Sequence, residues 1–146
     1  MPAIPDLEMP LSDGVITLRM ASERDIPEIL IAYQDDPQLH SALGQERPPS
    51  GAQLGRASER AGEERAAGHT VTLTILEAGS ETCRGQLRAE PIDWEHGRAE
   101  LEIWLVPHMR GRGNGPRAWR LAAAWLLGAC GLQAACSRAA ADVADG

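Results

Sequence analysis

The sequence predicts an α+β fold with a mainly antiparallel sheet, and three observations lead there. Residues 70–76, 83–92 and 98–106 are strand-like runs joined by short polar turns, the pattern of a meander. An earlier strand and two helical patterns precede that meander. A glycine-rich turn then leads from its last strand straight into an apolar helix. At 146 residues the chain suits one domain with a single core.

Residues 1–13 are acidic and proline-rich and read as a flexible lead-in; they lack the basic and apolar tandem of a signal peptide. Val15 to Met20 alternates as a first strand. Ser22 and Asp25 resemble a capping box, with Asp in place of the usual Glu or Gln, ahead of a helix from about Glu23 to Gln34. Ile26, Ile29, Leu30 and Tyr33 give that helix its apolar spacing, and Asp35-Asp36-Pro37 stops it. After a loop at 44–51, residues 52–67 form a second helix whose inward stripe (Leu54, Ala57, Ala61) is mostly alanine, so it should be loosely held.

Val71, Leu73 and Ile75 share one face of the next strand, with threonines on the other. In the strand Arg98–Val106, Leu101, Ile103 and Leu105 fall on one face and Glu100, Glu102, Trp104 and Val106 on the other. Pro107 closes it, having no N–H for a ladder. Gly115 suits the N-cap, and Pro116 the first position, of a helix reaching about Ala129. Residues 133–146 form an alanine-rich tail in which no strand is expected.

Composition removes several classes of function. All fourteen basic residues are Arg, which rules out a phosphate loop ending in Lys and any Lys Schiff base. A net charge of -7 without a basic stripe argues against general nucleic-acid binding. The longest apolar run, Leu121 to Cys130, is too short for a bilayer, so no membrane role is expected. Cys83, Cys130 and Cys136 are odd in number and lack metal-ligand spacing, which fits a reduced cytoplasmic setting. The four histidines are scattered through turns, so no metal site is expected.

The turn Arg110-Gly111-Arg112-Gly113-Asn114-Gly115 carries the chemistry. Unpaired N–H groups of a glycine-rich turn and the positive end of a helix dipole coincide there, which attracts phosphate. Gly113 to Ala118 formally matches G-x-G-x-x-A, but that dinucleotide fingerprint belongs to a parallel strand–helix–strand unit. Here the preceding strand belongs to a meander.

The element order, with Ile92-Asp93-Trp94-Glu95, Ala99 to Pro107 and Arg110-Gly111-Arg112-Gly113, resembles the GNAT acetyltransferase superfamily over residues 14–132. The likeness is to its ribosomal-protein N-terminal acetyltransferase branch. That resemblance implies a mixed sheet with helices on both faces, and acetyl-CoA as co-substrate. It implies acetyl transfer to a primary amine, on a protein N-terminus or small molecule, in a ternary complex. By match, Arg110, Gly111, Arg112, Gly113, Asn114 and Gly115 would hold the pyrophosphate, and Met109 would sit at the same mouth. A backbone N–H near Trp104, Leu105 or Val106 would receive the thioester oxygen. Glu100 matches the position of the base that deprotonates the amine, with Glu102 one pleat further on.

A full member continues with another strand, a helix and a closing hairpin, and that portion is expected to be missing here. The strand Arg98–Val106 would then expose an edge, which a second copy could cover in a homodimer. A truncated, non-catalytic domain with weak CoA binding, or association with a partner alone, is the alternative reading.

Overall fold

A computed structural model describes residues 3–137. Six strands form one sheet in sequence order: β1 (Leu11–Ser12), β2 (Ile16–Met20), β3 (Val71–Glu77), β4 (Gly85–Asp93), β5 (Arg98–Leu105) and β6 (Ala134–Ser137). All neighbours are antiparallel except β5 and β6, which run parallel. Helices α1 (Ile26–Asp35), α2 (Leu39–Ala42) and α3 (Gly51–Ala66) lie between β2 and β3, and α4 (Asn114–Ala129) between β5 and β6. The mixed, mainly antiparallel sheet with helices on both faces is the expected architecture.

Alternation assigns the faces. Ile16, Leu18, Val71, Leu73, Ile75, Leu87, Leu101, Ile103 and Leu105 are buried in one cluster with Ala118, Ala122, Ala123 and Leu126 of α4. The alanines let α4 lie close to the sheet, since small side chains at spacing i, i+4 leave no ridge to hold it off. The other face carries Trp104, clustered with Ile29, Ala32 and Tyr33 of α1 and Leu39 of α2. No residue of α3 is buried, in line with its thin alanine stripe.

Three expectations need correction. The tail begins with a strand: Ala134–Ser137 pairs in register with Arg98–Leu101 of β5. Leu132, wholly inside the main core at 4% exposure, draws the chain back to the sheet after α4. The Ala134 N–H then bonds the Gly97 carbonyl at 3.0 Å, so backbone pairing succeeds where side-chain propensity is weak. The edge expected to be open, and offered to a second copy, is therefore covered at Arg98–Leu101. The remainder of the tail, 138–146, lies outside the described residues.

The lead-in is also anchored. Ile4 is fully buried and exchanges two hydrogen bonds with Arg65, while Leu11–Ser12 pairs with β2. Finally, α4 starts at Asn114 with Gly113 as its N-cap, two residues before Pro116. Gly113 sits at φ 78°, a left-handed conformation that only glycine adopts without strain. At the other end of the chain, the first helix opens with a 3-10 turn, Glu23–Asp25, before α1.

Candidate active site

β5 ends between the turn before α4 and the α1–α2 side of the sheet, past the residues that pair with the described part of β6. Its last four residues form the floor of the site.

The turn comes first. Gly111 (φ 70°) and Gly113 (φ 78°) both take left-handed backbone, and a Cβ built on either would meet nothing within 4 Å. The surface above them is an open cradle. Among the described residues, the N–H groups of Gly111, Arg112, Gly113 and Asn114 have no acceptor, and they stand at the positive end of a sixteen-residue helix. An anion of phosphate size fits that chemistry.

The side chains around the turn play different parts. Asn114 is buried, and its amide donates to the Met109 carbonyl at 2.9 Å, which fixes the turn from below. Met109 points into the core, so of this residue only the main chain lies at the turn. Arg110 pairs with Asp36 at 2.6 Å, whereas Arg112 is exposed and forms no ion pair among the described residues.

The even-numbered residues of β5 face the opposite side, as alternation predicts. Trp104 is 8% exposed and meets the ring of Tyr33 at 6.3 Å between centroids. Glu102 and Trp104 line a cleft of about 720 Å³ between the sheet and helices α1 and α3. Tyr33, Gln45, Gln86 and Arg88 line it too. Register places Arg88 opposite Glu102 and Gln86 opposite Trp104. Glu100 is exposed, lies opposite Cys136 of β6 and does not line this cleft. The structure thus separates the two glutamates by place.

Hydrogen-bond parity settles the main chain of β5. The Val106 N–H donates to the Arg84 carbonyl at 2.9 Å, on the β4 side. By the period of two, Trp104 and Glu102 also direct their N–H groups to β4, while Leu105 and Ile103 direct theirs the other way. Described β6 stops opposite Leu101. Of the three candidates Trp104, Leu105 and Val106, only the Leu105 N–H points towards the unpaired side of the strand among the described residues.

Electrostatics add one feature. Burial pushes the Tyr33 phenol up; its hydrogen bond to Gln45 Oε1 at 2.9 Å opposes this, and the Glu102 charge adds to it. The hydroxyl therefore stays protonated through the neutral range. Cys83, buried in the cluster with Tyr33 and Trp104, is pushed up to about 12 by burial, which keeps its thiol protonated at neutral pH. Away from the cleft, the exposed Asp93, Glu95 and His96 bring ligand atoms within 4.8 Å of one another in the β4–β5 turn.

Sequence reasoning missed Asp36, Tyr33, Gln45, Gln86 and Arg88 as parts of this site. Gln86 and Arg88 could have been found from the polar alternation of β4 once its register with β5 was known. Asp36 and Tyr33 had no such signal, because helix packing brings them in.

Comparison with known proteins bears on the family and the fold. The model of the acetyltransferase (GNAT) domain matches residues 16–142. No curated protein sequence matches the chain. Among solved structures, RimL, a ribosomal L7/L12 α-N-protein acetyltransferase, superposes with a TM-score of 0.70 at 15% identity, over 90% of this chain and 73% of that one. The ribosomal-protein-S5-alanine acetyltransferase from Vibrio fischeri gives 0.70 at 13% identity, over 86% and 70%. The spermidine N-acetyltransferase from Vibrio cholerae, solved with CoA and spermine, gives 0.69 at 18% identity, over 82% and 68%. No helix among the described residues is long and apolar enough to cross a membrane.

Proposed function

Since the chain belongs to the GNAT acetyltransferase domain family, we propose that it transfers an acetyl group from acetyl-CoA to a primary amine. The observation that carries this reading is the conjunction of the open N–H turn at Gly111–Asn114 with a carboxylate-bearing cleft on the opposite side of the same strand. One element thus joins an anion cradle to an amine-sized cleft.

The residues divide the work as follows. The N–H groups of Gly111 to Asn114 would hold the pyrophosphate, with Arg112 adding charge. Gly115 is buried in the first turn of α4. The Leu105 N–H would donate a hydrogen bond to the thioester oxygen as negative charge grows on it. Acetyl-CoA would supply the activated acyl group: the free amine nitrogen would bond to the carbonyl carbon as the C–S bond breaks, and the departing CoA thiolate would take up the proton that the nitrogen then sheds. Glu102, in the cleft, would take the ammonium proton, directly or through a water. Glu100 lies outside the cleft and is the weaker candidate base.

The acceptor is a primary amine, with a protein N-terminus and a small polyamine as the two classes that the similar structures suggest. The strand β6 beside β5 favours a working cofactor slot over the non-catalytic reading. Three free cysteines suit a reducing cytoplasm.

The test is release of the CoA thiol on mixing the chain with acetyl-CoA and either spermidine or peptides with free N-terminal Ser or Ala. Amine-dependent thiol release supports the reading, and its pattern chooses the acceptor class. Saturable CoA binding with no release for any amine would overturn it in favour of a binding module.

A further inference from the structure

Arg110 and Asp36 lie 74 residues apart and meet at 2.6 Å, between side chains only 26% and 11% exposed. Asp36 is the pivot between α1 and α2. Its N–H closes α1 onto the Ala32 carbonyl, its second carboxylate oxygen accepts the Gln38 N–H, and its carbonyl accepts the Leu39 N–H. Leu39 in turn is buried in the same cluster as Tyr33 and Trp104, on the cleft side of the sheet. Arg110 stands at the head of the glycine turn, immediately before Gly111.

This arrangement decides what Arg110 does. A guanidinium paired at 2.6 Å with a nearly buried carboxylate is already neutralised, and an incoming anion would have to compete with that carboxylate. The pair has the geometry of an anchor rather than of a phosphate ligand.

We propose that Asp36 is a positioning residue which, through Arg110, holds the glycine turn in its anion-binding shape and links it to α2, which leads directly into Leu43 and Gln45 at the wall of the acceptor cleft. Filling the turn and ordering α2 are then one event. This rests on the acetyl-CoA reading above.

The sign of one substitution separates the two roles of Arg110. If it bound phosphate itself, Asp36→Asn would free it and tighten CoA binding. As an anchor, its release loosens the turn, so Asp36→Asn and Arg110→Gln should each weaken CoA binding about tenfold by calorimetry. The double variant should be no weaker than either single one, because the two act through one contact. Hydrogen exchange gives the second readout. CoA added to the unmodified chain should protect the amides of Leu39 to Ala42 as well as those of the turn, and Arg110→Gln should abolish the protection at α2.

Tighter binding in Asp36→Asn, or additive losses in the double variant, would overturn the anchor. Protection of the turn without protection of α2 would overturn the linkage alone. If the unmodified chain binds no CoA, the acetyl-CoA reading fails and takes the linkage with it. Should Asp36→Asn not fold, Arg110→Gln still decides the matter by exchange, since it leaves the Asp36 backbone bonds in place.

Discussion

Thr74 donates its hydroxyl to Asp25 at 2.7 Å, joining the centre of the sheet to the first turn of the helical layer. Asp25 is fully buried and accepts three further bonds, two from Arg19 and one from the Ser22 N–H. The carboxylate thus accepts four hydrogen bonds, which is what makes its buried charge tolerable, while the buried Arg19 Nε has no hydrogen-bond partner among the described residues. The Ser22–Asp25 capping arrangement read from the sequence is thus part of a larger network spanning β2 and β3.

Asp25→Asn should destabilise the fold by about 3 kcal/mol at pH 7, because the largely buried Arg19 is left with only the exposed Glu81, 3.6 Å away, as a charged partner. The pH dependence has a definite sign. Burial pushes the Asp25 carboxyl up, but the bonds from Arg19, Thr74 and Ser22 overcome it and hold the group below its ordinary value. A carboxylate depressed on folding contributes stability above its unfolded pKa of about 4 and loses that contribution as the pH falls further. Urea unfolding should show the gap between variant and parent wide at pH 7 and narrowing below pH 4. A constant gap would mean that Asp25 acts by shape alone.

The strands, the faces of β5 and the glycine turn were legible because each depends on local pattern: a period of two, a proline stop, glycines before a helix. β6 was not, since Ala134, Ala135 and Cys136 have little strand preference and pair only because Leu132 docks in the core. The cleft was half legible. Glu102 and Trp104 come from alternation, but Tyr33 and Asp36 reach the site through the packing of α1, which local sequence does not encode. The role of Gly85 was equally hidden.

Gly85 pairs with Leu105, and a Cβ there would overlap the Trp104 carbonyl oxygen and touch the Leu105 Cα at 3.0 Å. Backbone cannot rotate aside as a side chain can, so Gly85→Ala must push β5 from β4. The expected cost is about 2 kcal/mol by urea unfolding. Activity should fall beyond what the folded fraction explains, because Leu105 carries the proposed N–H donor. A variant as stable and active as the parent would show that β4 can shift freely here.

Gly113 separates conformational strain from ligand contact. Among the described residues, no atom beyond its two chain neighbours lies within 4 Å of a Cβ built on it, so Gly113→Ala costs only its left-handed backbone, about 1 kcal/mol. Gly113→Glu adds a negative charge above the cradle at a similar cost in folding. Calorimetry should find CoA binding reduced in the first and lost in the second. Equal affinity in parent and Gly113→Glu would remove the anion from this turn.

The two glutamates of β5 are told apart by the chain's single tyrosine. The Glu102 charge is among the causes that raise the Tyr33 phenol, whereas Glu100 is not. Glu102→Gln should therefore lower the phenol's titration midpoint, read by ultraviolet absorbance, while Glu100→Gln leaves it in place. Kinetics should divide in the same way. Loss of a general base costs on the order of 100-fold, so kcat/KM of Glu102→Gln at pH 7 should fall by about that factor. The deficit should shrink as the pH rises and the acceptor amine sheds its own proton. Glu100→Gln should stay within roughly threefold of the parent, since a side chain outside the cleft removes no proton there. If Glu100→Gln instead shows the large, pH-dependent loss while the phenol responds only to Glu102→Gln, then Glu102 is a neighbour of Tyr33 and no more. The amine must in that case approach β5 from the side of β6.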